Sequence, residues 1–147
     1  MRTIALLLFA LILTACSKPS PQPLRYGHDQ CAQCKMEIED QKFGAEAVAN
    51  TGKVTVFDSP ECMAQWVSAR PGGMDGIHTL WVTDFIRPGT LIDASQAFFL
   101  HSPMIKSPMG LNYAAFATDE ERHRAQISFT GEERTWTDAM RDAGSVH

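Results

Sequence analysis

The residues best suited to chemistry are sulfur ligands. Cys31-Ala-Gln-Cys34-Lys-Met36 puts two thiols and one thioether within six residues. The stretch precedes any periodic segment, so it reads as a loop or tight turn. Thiolate and thioether are soft ligands, and three of them on an irregular segment can close around one small ion. Cu(I) accepts two or three such ligands, whereas zinc takes four and is bound by Cys, His and carboxylate rather than Met. A second sulfur source lies downstream in Ser102-Pro103-Met104 and Ser107-Pro108-Met109-Gly110. Prolines and a closing glycine fix a loop that keeps methionine off any helix stripe or strand alternation. Met109 is the main candidate ligand there, and Met104 a lesser one. His101 ends the strand leading into this loop and is an auxiliary candidate.

A lone CxxC is also compatible with a structural disulfide or a redox pair, the more so in an oxidising compartment. Redox pairs sit between a strand and a long helix in a βαβ setting, which is absent here. Cys62 and Met63 fall on the apolar stripe of a helix with Trp66 and Val67, and Cys62 is expected to pack as a small hydrophobe. His28 is in an exposed stretch, and His78, His123 and His147 have no ligand-like neighbours. The chain has no nucleophile elbow, glycine-rich phosphate loop or HExxH motif. Its acids group at Asp119–Glu121, which suits a helix N-terminus, and at Glu132-Glu133, which suits a solvated turn. A carrier rather than an enzyme is expected. A net charge of −4 without a basic tract gives nucleic-acid binding no electrostatic basis.

The elements that must position these ligands begin after a targeting segment. Arg2 is followed by an apolar run from Ile4 to Leu13, then by Leu13-Thr14-Ala15-Cys16. The run is shorter than the ~20 residues a membrane span needs. Small residues directly before a cysteine have the form of a bacterial lipobox. Residues 1–15 are therefore read as a lipoprotein signal and Cys16 as the lipidated residue, facing the periplasm. Ser17 after the lipidated Cys favours the outer membrane by the sorting convention. Residues 16–27 form a proline-rich tether.

The body has two stretches with one element order. Residues 28–89 hold strands at Phe43–Ala49 and Lys53–Phe57, a helix capped by Ser59 with Pro60 at its first position, and a strand at His78–Asp84. Residues 90–147 hold strands at Ala97–His101 and Asn112–Ala117, a helix opened by a Thr118–Glu121 capping box, a weak strand before Trp136 and a short terminal helix over Thr137–Asp142. The expected fold is α+β, two small similar ββαβ units with antiparallel sheet.

Together, the lipobox, the CxxCxM loop, Phe57-Asp58-Ser59 after a hairpin, and Ser-Pro-Met-Gly followed by Ala115-Phe116-Ala117 resemble the NosL family over roughly His28 to Met140. The resemblance implies a Cu(I) chaperone that assists assembly of the copper–sulfide site of nitrous-oxide reductase, beside an ABC-type maturation complex. It implies two ββαβ units, with the family's Cys-x-Met pair at Cys34 and Met36 and its Ser-Pro-Met-Gly methionine at Met109. One departure is Lys35, where the family commonly has glycine; a less compact loop is expected there. Rival readings are a thiol–disulfide protein using Cys31 and Cys34, and a lipoprotein that sequesters soft metal without a dedicated client.

Overall fold

A computed structural model describes residues 18–145 of the chain. The signal segment and Cys16 lie outside the described residues. Strand β1 (Ala45–Ala49) pairs with β2 (Val54–Phe57) in a hairpin, helix α1 (Pro60–Ser68) follows, and β3 (Ile77–Thr83) returns to the free side of β1. Strand β4 (Leu91–Asp93) extends this sheet on β3, giving the order β2-β1-β3-β4. The pattern then repeats with β5 (Phe98–His101), β6 (Tyr113–Phe116), α2 (Asp119–Phe129) and β7 (Glu132–Arg134), in the order β6-β5-β7. All ladder pairs are antiparallel. Helix α3 (Trp136–Gly144) closes the described chain and packs along α1. The fold is thus α+β with two small sheets, as the order of predicted elements implies.

Each helix starts where its capping residue dictates. Ser59 is extended, its hydroxyl accepts the Cys62 N–H, and Pro60 occupies a position whose N–H needs no partner. Thr118 accepts the Glu121 N–H in the same way. The expected capping box there forms only by this half, because the Glu121 carboxylate turns to the Arg87 guanidinium. A charge-assisted pair outcompetes a neutral backbone amide. The complete box lies instead at Thr135 and Asp138, opening α3.

Strand β7 carries Glu132-Glu133-Arg134 and has little apolar surface to hold it. Gly131 compensates, since a Cβ there would meet the His101 carbonyl at 2.5 Å, so only glycine lets this segment approach β5. The segment from Gln22 to Gly27, read from its prolines as tether, is fastened to the body. The Gln22 N–H donates to the buried Glu46 carboxylate at 2.9 Å, Leu24 enters the core, and Leu24 and Tyr26 cross directly over Gly44.

The two units share one core. Cys31, Phe57, Cys62, Met63 and Val67 pack with Phe99, Tyr113, Ala115 and Ala139. Its polar joint is Glu61, fully buried in the first turn of α1. One carboxylate oxygen accepts the Ser107 hydroxyl and the Tyr113 N–H (3.1 Å), both from the second unit. Ser107 in turn accepts the Asn112 N–H at 2.8 Å. The second Ser-Pro-Met triplet is therefore tied to the residue that precedes Cys62. Ser107→Ala leaves a buried acceptor short of a donor and should cost about 1–3 kcal/mol. Denaturant titration measures the loss, and faster amide exchange at Asn112 and Tyr113 locates it.

Candidate metal centre

The cysteine loop is held by its own backbone. Gln30 and Glu37 bridge across it, the Cys31 N–H donates to the Met36 carbonyl at 2.8 Å, and the Lys35 N–H donates to the Cys31 carbonyl at 3.1 Å. The Ala32 N–H donates to the Val56 carbonyl at 2.9 Å, which fixes the loop on β2. Closing so tight a loop puts Lys35 in the left-handed region, at φ 67°. The expected loosening at Lys35 does not occur: the loop stays compact, and the lysine takes a conformation that glycine adopts without strain.

With the chain folded this way, backbone N–H groups of Gln33, Cys34 and Asp58 converge on the Cys31 sulfur, and that of Met36 on the Cys34 sulfur. Such a nest of donors favours an anion at the sulfur. Cys62 joins from the first turn of α1, where the helix dipole also favours negative charge. Asp58 precedes the cap. One ligand atom each from Cys31, Cys34, Asp58 and Cys62 lies within 4.8 Å of the others. Among the described residues all three thiols are free. The Cys34 thiol approaches Asp58 Oδ2 at 3.5 Å, while Asp58 Oδ1 is buried without a partner.

The thiols do not share charge equally. The Cys31 thiol is pushed down to about 6, first by the hydrogen bond it accepts from Cys62 and then by backbone N–H groups, against the opposing effect of burial. Burial pushes Cys34 up to about 11, aided by Cys31 and Asp58. Cys62 is raised, chiefly because it donates its proton to Cys31. The metal-free cluster thus places the Cys31 thiolate beside the Asp58 side chain. A soft cation bound here displaces thiol protons and replaces them as the counter-charge.

Of the residues singled out from sequence, the structure unites Cys31 and Cys34. The thioethers are on the surface: Met36 is 52% exposed, Met104 56% and Met109 38%. Met36 lies two residues from Cys34, and the Met109 loop is anchored through Ser107 to Glu61. His101 is half-buried, its ring 5.2 Å from that of Tyr113. Cys62 is buried as a core residue should be, yet its sulfur faces the other two. Sequence reasoning missed Asp58 and Cys62 as candidate metal-site residues. The available signal was Asp58-Ser59-Pro60-Glu61-Cys62, which puts a thiol on the third residue of a capped helix directly after a carboxylate.

Two outcomes check this geometry. In the reduced, metal-free chain, thiolate absorbance should show one group ionising near pH 6, moving up in Cys62→Ala. The folded value is depressed below an unfolded thiol's ~8.5, so this contribution to stability is full above ~8.5 and lost as pH falls through the folded value. Cys34 and Cys62 are shifted the other way and lower stability above ~8.5. Lys35→Gly should raise stability by about 0.5–1 kcal/mol in denaturant titration, the relief of left-handed strain exceeding glycine's extra unfolded freedom.

Comparison with known proteins agrees with the fold. The NosL family model matches residues 25–143. Among curated protein sequences none matches. A crystal structure described as that of the copper chaperone NosL from Shewanella denitrificans aligns with TM-score 0.70 at 19% identity, covering 83% of this chain and 96% of that one. A match over nearly all the described residues, together with the two-sheet architecture, places this chain in the NosL family.

Proposed function

We propose that the chain is a membrane-anchored Cu(I) chaperone that delivers copper to nitrous-oxide reductase for assembly of its copper–sulfide site. The observation that carries the reading is the convergence of three thiols and a carboxylate from two elements within 4.8 Å, on a loop whose amides already face sulfur. Thiolates are the soft donors that Cu(I) prefers. The structural relative described as a copper chaperone has the same architecture.

Cys34 and Cys31 supply thiolates, and Met36 and Met109 supply thioethers at the surface, with Met104 and His101 as outlying donors. A thioether binds a soft ion without a charge and releases it readily. An ion held partly by exposed thioethers is open to attack by an acceptor's ligands. It moves by ligand exchange and is never free. The lipid on Cys16 keeps the carrier at the membrane facing the periplasm, on the outer membrane by the Ser17 convention. There it meets nitrous-oxide reductase and its ABC-type maturation complex. Among the described residues no helix is long and apolar enough to cross a membrane.

Competition with a Cu(I) chelator tests binding. One ion per chain is expected, with Cys34→Ala weakening affinity at least tenfold and Met36→Ala or Met109→Ala weakening it less. Unchanged affinity in Cys34→Ala overturns the copper site, and indifference to both methionines favours the redox reading. Delivery is tested in cells lacking the gene. Nitrous-oxide reductase should then accumulate without its copper–sulfide site, and a fully loaded enzyme overturns the proposed client.

A further inference from the structure

The loop between β3 and β4, docked on the second unit, repeats the geometry of the cysteine loop with different side chains. The Cys31 N–H closes its loop on Met36, and the Asp84 N–H closes its own on the Thr90 carbonyl, both at 2.8 Å. The next residue docks each loop on the hairpin: Ala32 N–H to Val56 at 2.9 Å, Phe85 N–H to Ala115 at 2.8 Å. Each loop carries a left-handed residue just before its closing carbonyl, Lys35 at φ 67° and Gly89 at φ 79°. Asp84 caps its own loop by accepting the Ile86 N–H at 3.1 Å. The hairpins then end in Phe57-Asp58-Ser59 and Phe116-Ala117-Thr118, both phenylalanines fully buried and both hydroxyls capping a helix. The third helical residue is Cys62 in one unit and Glu121 in the other.

Counted from the first residue of each loop and of each helix, Cys31, Cys34 and Cys62 correspond to Asp84, Arg87 and Glu121, the second loop carrying one more residue before its left-handed turn. Asp84 is fully buried and Glu121 nearly so. The Arg87 guanidinium reaches between them, with NH1 on Asp84 and on Glu121 Oε2 and NH2 on Glu121 Oε1. With the thiol cluster read as the metal centre, we propose that the β3–β4 loop and the start of α2 form that centre's structural counterpart with its cation built in: the Arg87 guanidinium takes the place of the ion. A buried carboxylate pair without a counter-cation would be unfavourable, and the guanidinium fork suits two carboxylates. The thiol site therefore exchanges its cation, while the site of Asp84 and Glu121 keeps its own.

The test uses the mature, metal-free chain and its Arg87→Ala variant, which uncovers the carboxylate pair. The variant should melt several degrees below the parent. Ca(II) should restore most of that loss, and Tb(III) luminescence should saturate with the variant only. Adding Asp84→Asn should abolish both responses. Should Arg87→Ala be unfolded, Ca(II)-dependent recovery of circular dichroism reads the same property. Sodium chloride of equal ionic strength controls for screening. A variant that melts like the parent, or that gains no more from Ca(II) than from sodium chloride, overturns the proposal. Cu(I) titration of the parent tests the thiol centre separately, since Arg87 touches none of its ligands.

Discussion

The structure depends on how acidic and thiol groups are buried at the start of α1. Asp58, Glu61 and Cys62 sit within its first turn or directly before it, and Cys31 and Cys34 close over them. Burying such groups is costly unless donors meet them. Backbone amides of the cysteine loop, the N-terminal dipole of α1, and Ser107 and Tyr113 from the other unit supply those donors. The supply is incomplete, because one oxygen of Asp58 and one of Glu61 are buried with no partner. The site is rich in negative character and short of positive charge, which is the condition under which a cation adds to stability rather than competing with it.

The same joint links fold to transfer. Glu61 lies between the thiol-bearing turn and the Ser-Pro-Met loop, so the sulfur sources of the two units are connected through one carboxylate. Neither sheet offers this alone. The first has four strands and the second three, and each is too small to bury both faces without the other. The shared core and the pairing of α1 with α3 hold the units in one orientation. The chelating loop and the methionine loop thereby keep a fixed relation across a long stretch of chain.

What could be read in the sequence follows from how local each signal is. Ser59 with Pro60 fixes the start of α1 by short-range chemistry, and the β-branched run over Val54–Phe57 marks a strand on its own. The soft-ligand loop was visible because its two cysteines and Met36 are neighbours in sequence. Asp58 and Cys62 were not, because a buried thiol on an apolar stripe looks like a small hydrophobe until the loop that faces it is in place. Strand β4 has three residues and no periodicity; only its partner β3 defines it. The half-formed cap at Thr118 failed for a similar reason, since Arg87 lies 34 residues from the carboxylate it takes.

Burial divides the sulfur ligands into two classes with different work. Cys31 and Cys62 are fully covered, Cys34 is partly covered, and Met36, Met104 and Met109 are open to solvent. Thiolates bind strongly, but their affinity depends on proton release, and a buried one exchanges only when the protein opens. Thioethers carry no proton in this range and bind weakly. On the proposed reading, an ion that enters or leaves past the methionines meets ligands of rising strength inward and falling strength outward, without a step in which it is fully solvated. Lys35, held left-handed between the last thiol and the first thioether, stands at the boundary of the two classes. The left-handed turn at this one residue lets the Met36 carbonyl close the loop on the Cys31 N–H while the Met36 side chain stays exposed.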